Sequence, residues 1–132
     1  ECVLDEATGL MWSRTISASV GPNSNGTLPW TTNGSGEGVF TYATAANAAS
    51  LAGYTDWRVP NKVTLTTQDN GEFGAAVDST AFPSISTVSV WSSSTSKNNT
   101  ANAIFVRYLQ GDAIANTKTL ATGYCWLVRG PV

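Results

Sequence analysis

The sequence predicts one α+β domain over residues 1–132, with small helices packed on an antiparallel sheet and the two chain ends adjacent. Three observations lead there. An alanine-rich stretch over residues 42–52 is bounded by Thr41 and Gly53, residue types that favour a helix start and a helix end. Beyond residue 88 come short apolar segments with turn residues between them, the pattern of a β-meander. Cys2 and Cys125 stand close to opposite ends of the chain, and pairing them would hold the first strand beside the last.

Taken in order, residues 2–4 read as a short strand. Asp5-Glu6-Ala7-Thr8-Gly9 has the small and acidic residues of a turn, and Leu10-Met11-Trp12 resumes the apolar run, so the two form a hairpin. Residues 17–38 are rich in Gly, Asn, Ser and Thr and are broken by Pro22 and Pro29, with Leu28 and Trp30 as the one large anchor pair; this is an exposed loop. The helix over 42–52 presents little apolar area per residue and depends on packing against the Trp57 region. Asn61, after Pro60, is placed to cap a second helix over residues 62–67, although Val63, Thr64, Thr66 and Thr67 are β-branched. Asn70-Gly71 marks a turn, and the stretch around Phe82-Pro83 is irregular. Strands then follow over 88–93, 103–109, 113–117 and 124–129. In the second of these Ile104, Val106 and Tyr108 alternate with Phe105, Arg107 and Leu109, and Gln110-Gly111-Asp112 forms the next hairpin turn.

Composition narrows the function. Charged residues make up 12% of the chain and the formal net charge is -2, which argues against general nucleic-acid binding, since a domain that tracks phosphates carries a basic excess. No apolar run is long enough to span a bilayer, so membrane insertion is not expected. There is no histidine, which removes the usual general base of hydrolases and the commonest transition-metal ligand. The nine acids show no pairing that points to a glycosidase. The chain is therefore expected to be neither an enzyme nor a cofactor binder. Asp69, Asn70 and Glu72 offer oxygen ligands of the kind calcium takes, against the alternative of an ordinary solvated turn. With two cysteines and no second pair, a zinc site cannot be assembled, and a bond between Cys2 and Cys125 is expected instead of two separate buried thiols. Closing so long a loop would contribute on the order of 4–5 kcal/mol in the chain-entropy model. Such a bond implies an oxidising compartment. The sequence starts at Glu1 with no Met and no apolar signal segment, so a processed protein or an excised domain is expected.

Three tryptophan-centred motifs occur in a fixed order. They are Thr8-Gly9-Leu10-Met11-Trp12, then the helix followed by Gly53-Tyr54-Thr55-Asp56-Trp57-Arg58-Val59-Pro60-Asn61, then Val90-Trp91-Ser92-Ser93-Ser94-Thr95, with Val128-Arg129 closing the series. In this order they resemble the C-terminal domain family of the Legionella collagen-like adhesin, over nearly the whole chain. That resemblance implies a C-type-lectin-like fold, an extracellular or bacterial cell-surface location, assembly as a homotrimer with a collagen-like stalk, and binding of sulfated glycosaminoglycans. Two departures stand out: Thr64-Leu65 replaces an acidic-leucine pair after Pro60, and the overall charge is slightly acidic. The Glu-Pro-Asn and Trp-Asn-Asp signatures of calcium-dependent sugar binding are absent.

Trp12, Trp57, Trp91 and Trp126 read as core, and Arg58 as a partner for backbone carbonyls or a carboxylate. Trp30, in the polar loop, either stacks on a sugar ring or pins the loop to the core. In a simple meander the turns after the 88–95 and 113–117 segments fall at one end of the sheet. That brings Lys97 and Lys118 together, with Asn98, Asn99 and Asn116 suited to hydrogen-bond hydroxyl or sulfate oxygens and Arg107 contributing from the adjoining strand. Lys62, at the start of the second helix, is expected to lie elsewhere. Surfaces bearing Tyr108, Tyr124 and Trp126, short of charge, are read as trimer contacts. The site is accordingly read as one for sulfated glycosaminoglycan or other acidic polysaccharide, with the trimer multiplying weak contacts. The alternatives are a domain that only trimerises a fibrous stalk, or a binder of protein ligands diversified over residues 98–116.

Overall fold

A computed structural model of the chain describes residues 2–13, 26–31, 38–68, 80–82 and 89–131. The turn at the first hairpin is built by Asp5: one carboxylate oxygen accepts from the Ala7 amide (3.0 Å) and the other from the Thr8 hydroxyl (2.7 Å). The Asp5 carbonyl takes the Gly9 amide at 2.8 Å, with Gly9 at φ 72°, a conformation glycine adopts without strain. This turn joins β1 (Cys2–Asp5) to β2 (Leu10–Ser13) in the predicted hairpin. Among the described residues the other elements are α1 (Val39–Ala48), a 3-10 turn (Leu51–Gly53), α2 (Lys62–Thr66), β3 (Ser89–Thr95), β4 (Asn102–Arg107), β5 (Asp112–Thr117) and β6 (Val128–Arg129). They form two antiparallel sheets, ordered β1-β2-β6 and β3-β4-β5, and the fold class is α+β.

The second sheet is the expected meander, turned at Gly111 (φ 69°). Its strand alternation serves two cores, because both faces are covered. Trp91 and Phe105 face one core, which α1 closes with Val39, Tyr42, Ala43 and Ala46. Their neighbours Val90 and Val106 face the other, which Leu65 of α2 and Trp12 of β2 close. Asn61 caps α2 as predicted, its side-chain oxygen accepting the Thr64 amide at 2.8 Å. Leu65 is then held by the Tyr108 hydroxyl, which donates to its carbonyl at 2.8 Å.

Helix α1 starts earlier and ends sooner than its composition predicts. Gly38, with no side-chain cap, precedes it, and Thr41 lies inside its first turn. Burial decides the start: Val39, Tyr42, Ala43 and Ala46 are spaced for one helical face, and Val39 is fully buried. The chain then turns through left-handed Ser50 and Ala52 (φ 51° and 53°) before Gly53. The dependence on Trp57 is borne out. Asn47 donates to the Trp57 carbonyl (2.9 Å) and accepts its amide (2.7 Å), clamping the helix to the motif.

Three expectations are corrected. Cys2 and Cys125 are both free thiols, the first half-buried and the second fully buried. The reason lies in the strand order. β2 separates β1 from β6, with Ser13 facing Cys2 on one side and bonded to Leu127 on the other. Two strand spacings, about 10 Å, exceed the reach of a disulfide. The first and last strands thus share a sheet without being neighbours. Second, the strand expected over 124–129 shrinks to β6, because Tyr124 pairs instead with β3 in an isolated parallel bridge. Third, Tyr108 and Trp126 are fully buried, so they are core residues and supply no trimer contact. Trp12, Trp57, Trp91 and Trp126 are buried as their reading as core expects.

Two outcomes follow from this packing. A Cβ on Gly123 would stand 2.7 Å from two atoms of the Trp91 indole, itself fixed by donation from its Nε1 to the Leu28 carbonyl. Gly123→Ala is therefore expected to destabilise the domain by about 1–3 kcal/mol in urea unfolding, as overpacking of a filled core does. Burial also pushes the Cys125 thiol above its ordinary range. In native protein Cys2 should alkylate first, Cys125 should react on unfolding, and intact mass should be unchanged by reduction.

Candidate functional site

The register of β4 against β5 pairs Asn102 with Thr117 and Ala103 with Asn116. The Ser96 amide donates to the Asn102 carbonyl (2.9 Å) and the Lys118 amide to the Ala101 carbonyl (3.1 Å). The β3–β4 turn, with Lys97, Asn98 and Asn99, thus lies at the same sheet end as Asn116 and Lys118. These five predicted residues are brought together, the strands that lead into the two lysines, β3 and β5, being two spacings, about 10 Å, apart.

Their side chains differ in freedom. Lys97 and Asn98 are exposed, and neither has a side-chain partner among the described residues. Asn99 uses its oxygen to accept the Ala101 amide at 3.0 Å. Both ends of the Asn116 amide are engaged, donating to the Thr122 hydroxyl (3.1 Å) and accepting the Thr117 amide (2.8 Å), so Asn116 shapes the loop. Lys118 is half-buried, with its ammonium 4.3 Å from the centre of the Trp30 ring.

Arg107 lies elsewhere. It pairs with Asp112 at the opposite end of β4, five residue steps or about 17 Å from Asn102. Its guanidinium is bound to both Asp112 oxygens, Nε donating at 2.7 Å. Those bonds hold the Asp112 carboxyl below its usual range. Lys62, expected apart from the sheet, instead adjoins β3. Its amide donates to the Ser94 hydroxyl at 3.1 Å, beside the bond from the Ser93 amide to the Pro60 carbonyl at 2.8 Å.

Beside Lys118 is a cleft of about 250 Å³, lined among the described residues by Trp30, Thr31, Gly38, Phe40 and Thr41. Trp30 is anchored on three sides. Its Nε1 donates to the Ser92 carbonyl (2.7 Å), its amide to the Lys118 carbonyl (2.8 Å), and its ring meets Phe40 edge to face at 4.8 Å. It therefore does pin its segment to the core, yet leaves a half-buried ring at the cleft. Phe40, 43% exposed, was missed because the predicted helix began after it. The calcium candidates Asp69, Asn70 and Glu72 lie outside the described residues.

The second motif and the closing Val128-Arg129 meet in one assembly. Arg58 and Val128 exchange both backbone bonds at 2.9 Å. Arg129 binds both oxygens of Asp56 (2.6 and 3.1 Å), and its guanidinium stacks 3.8 Å from the centre of the Tyr54 ring. Arg58 itself meets the chain through its backbone; its exposed side chain adds a weaker charge attraction to Asp56, behind that of Arg129. These motifs fasten the fold away from the lysine end.

The arrangement defines a two-sheet α+β domain locked by tryptophan motifs, with a cationic sheet end. Residues 1–129 match the Lcl C-terminal domain family, and the chain belongs to that family. A comparison with curated proteins returns no match. The Arg129 hydrogen bond depresses the Asp56 carboxyl from its ordinary value of 3.8. A depressed folded-state value gives stability that is present above about pH 3.8 and lost as pH falls further. Asp56→Asn should thus lower the melting temperature at neutral pH, and the gap to wild type should narrow in acid below that point.

Proposed function

We propose that this chain is an adhesin domain of the cell surface or extracellular space, with a C-type-lectin-like fold, that binds sulfated glycosaminoglycan or another acidic polysaccharide as a homotrimer. Membership of the Lcl C-terminal domain family supports the adhesin reading. Among the described residues no helix is long and apolar enough to cross a membrane.

The observation that carries the ligand class is the segregation of charge on the second sheet. Lys97 and Lys118 stand at one end while its Arg107–Asp112 pair, neutral as a unit, stands at the other. By the charges of the described residues of this sheet, an anion is drawn to the first end. The Trp30–Phe40 cleft beside Lys118 adds an aromatic wall of the size a sugar ring needs, so a sulfated sugar fits better than a simple anion. Exposed lysine contacts are individually weak, and three copies around one axis would combine them.

The test replaces both lysines, Lys97→Ala with Lys118→Met, the methionine keeping most of the stem that covers Trp30. Retention on a heparin column should fall markedly, with an unchanged circular dichroism spectrum. Light scattering at micromolar concentration should give three times the chain mass. A trimer whose wild type is not retained would favour the stalk-trimerisation reading, and unchanged elution of the double variant would remove the lysine site.

A further inference from the structure

We infer that Lys62 is the third member of the same basic row, so that the ligand is an extended polyanionic chain crossing the end of the second sheet from the Trp30 side to the start of α2. This rests on the polysaccharide reading and adds to it a residue and a ligand shape.

The three lysines come from three elements. Lys118 directly follows β5, on the side where Trp30 packs against the α1 core. Lys62 opens α2 on the opposite face, the side of the core closed by Leu65. Lys97, in the turn between β3 and β4, lies between them. The bond from the Lys62 amide to Ser94 seats the α2 start beside a residue of β3 that is three steps along the chain, about 10 Å, from Lys97. With a similar step from Lys97 to Lys118, the row spans about 20 Å. One sugar cannot touch all three ammonium groups, whereas a chain can.

No described carboxylate competes for this row. Of the four acids among the described residues, Asp112 is at the far end of β5 and Asp56 is bound to Arg129. Asp5 and Glu6 are in the first hairpin, where Asp5 accepts from Gln68, beyond the far end of α2. Lys62 is exposed and makes no ion pair among the described residues. Steps of about 10 Å slightly exceed the screening length at physiological salt, about 8 Å, so the lysines repel one another weakly and each adds its own contact.

Defined heparin oligosaccharides provide the test, titrated into the intact protein across a range of salt. Lys62→Ala should bind a decasaccharide about two- to fivefold more weakly than wild type. Its slope of log K against log salt should flatten by up to about one, the loss of one released counterion. A sulfated disaccharide, too short for the row, should bind both proteins alike, and Lys62→Arg should restore the slope. The backbone amide that bonds Ser94 survives these changes, so folding is retained. Arg107→Ala, which removes the same unit of charge from the opposite end, should change neither quantity. Equal decasaccharide affinity and slope in Lys62→Ala and wild type would overturn the row and leave the polysaccharide reading standing. A disaccharide bound as tightly as the decasaccharide would overturn the extended ligand. No binding of either by wild type defeats the polysaccharide reading itself, and stronger binding of single-stranded DNA than of heparin would assign the row to nucleic acid.

Discussion

Residues 123–129 are the seam on which both sheets depend. Gly123 pairs with Leu28, Tyr124 makes backbone bonds with Ser89 and Trp91, and Val128 with Arg58, while the Leu127 carbonyl accepts the Ser13 amide and its amide donates to the Ser13 hydroxyl. Within seven residues the chain therefore touches the second sheet, the first sheet and the long Gly53–Asn61 motif. Its side chains alternate in step with those bonds. Cys125 and Leu127 enter the α1 core while Trp126 and Val128 enter the α2 core, so one extended segment supplies both. Where its polar groups pair is fixed by the same extended conformation that fixes which side each residue faces, and neither can change alone.

Local chemistry made half of this legible. The first hairpin could be read because Asp5, Thr8 and Gly9 build their turn from their own atoms, and α2 because Asn61 caps it from the adjoining position. The meander followed from alternation and from Gly111. What failed depended on distant partners. Gly38 carries no cap, and only burial of Val39 against residues far along the chain begins the helix there. Cys2 and Cys125 invited a bond by their placement, but the position of β2 between the outer strands appears in no local pattern. Tyr108 and Trp126 looked available because their neighbours are uncharged, which is also the signature of a core.

The same division runs through the candidate site. Lys97 and Lys118 could be brought together from the sequence because a meander has one geometry, and counting turns is enough to say which ones share an end. Arg107 failed by the same count, since a six-residue strand puts its ends far apart. Lys62 and Phe40 were out of reach because each owes its place to a helix docking, one beside Ser94 and the other beside Trp30. Fastening and recognition are also separate in space. Arg129, Asp56 and Tyr54 lock the motifs together, while Lys97 and Lys118 sit in turns and Lys62 at the start of α2, and none of the three belongs to either core.

The seam also governs when this domain can exist during synthesis. Neither core can close until residues 123–129 have left the ribosome, because the pieces they join are separated by most of the chain. Up to that moment the emerging polypeptide holds Trp12, Trp57 and Trp91 without their final cover, exposed to chaperones and to other nascent chains. Contacts of such long sequence separation also slow the closing step itself. For a module of this family the vulnerable interval is the time spent nearly complete, and its length is set by the arrival of one short strand.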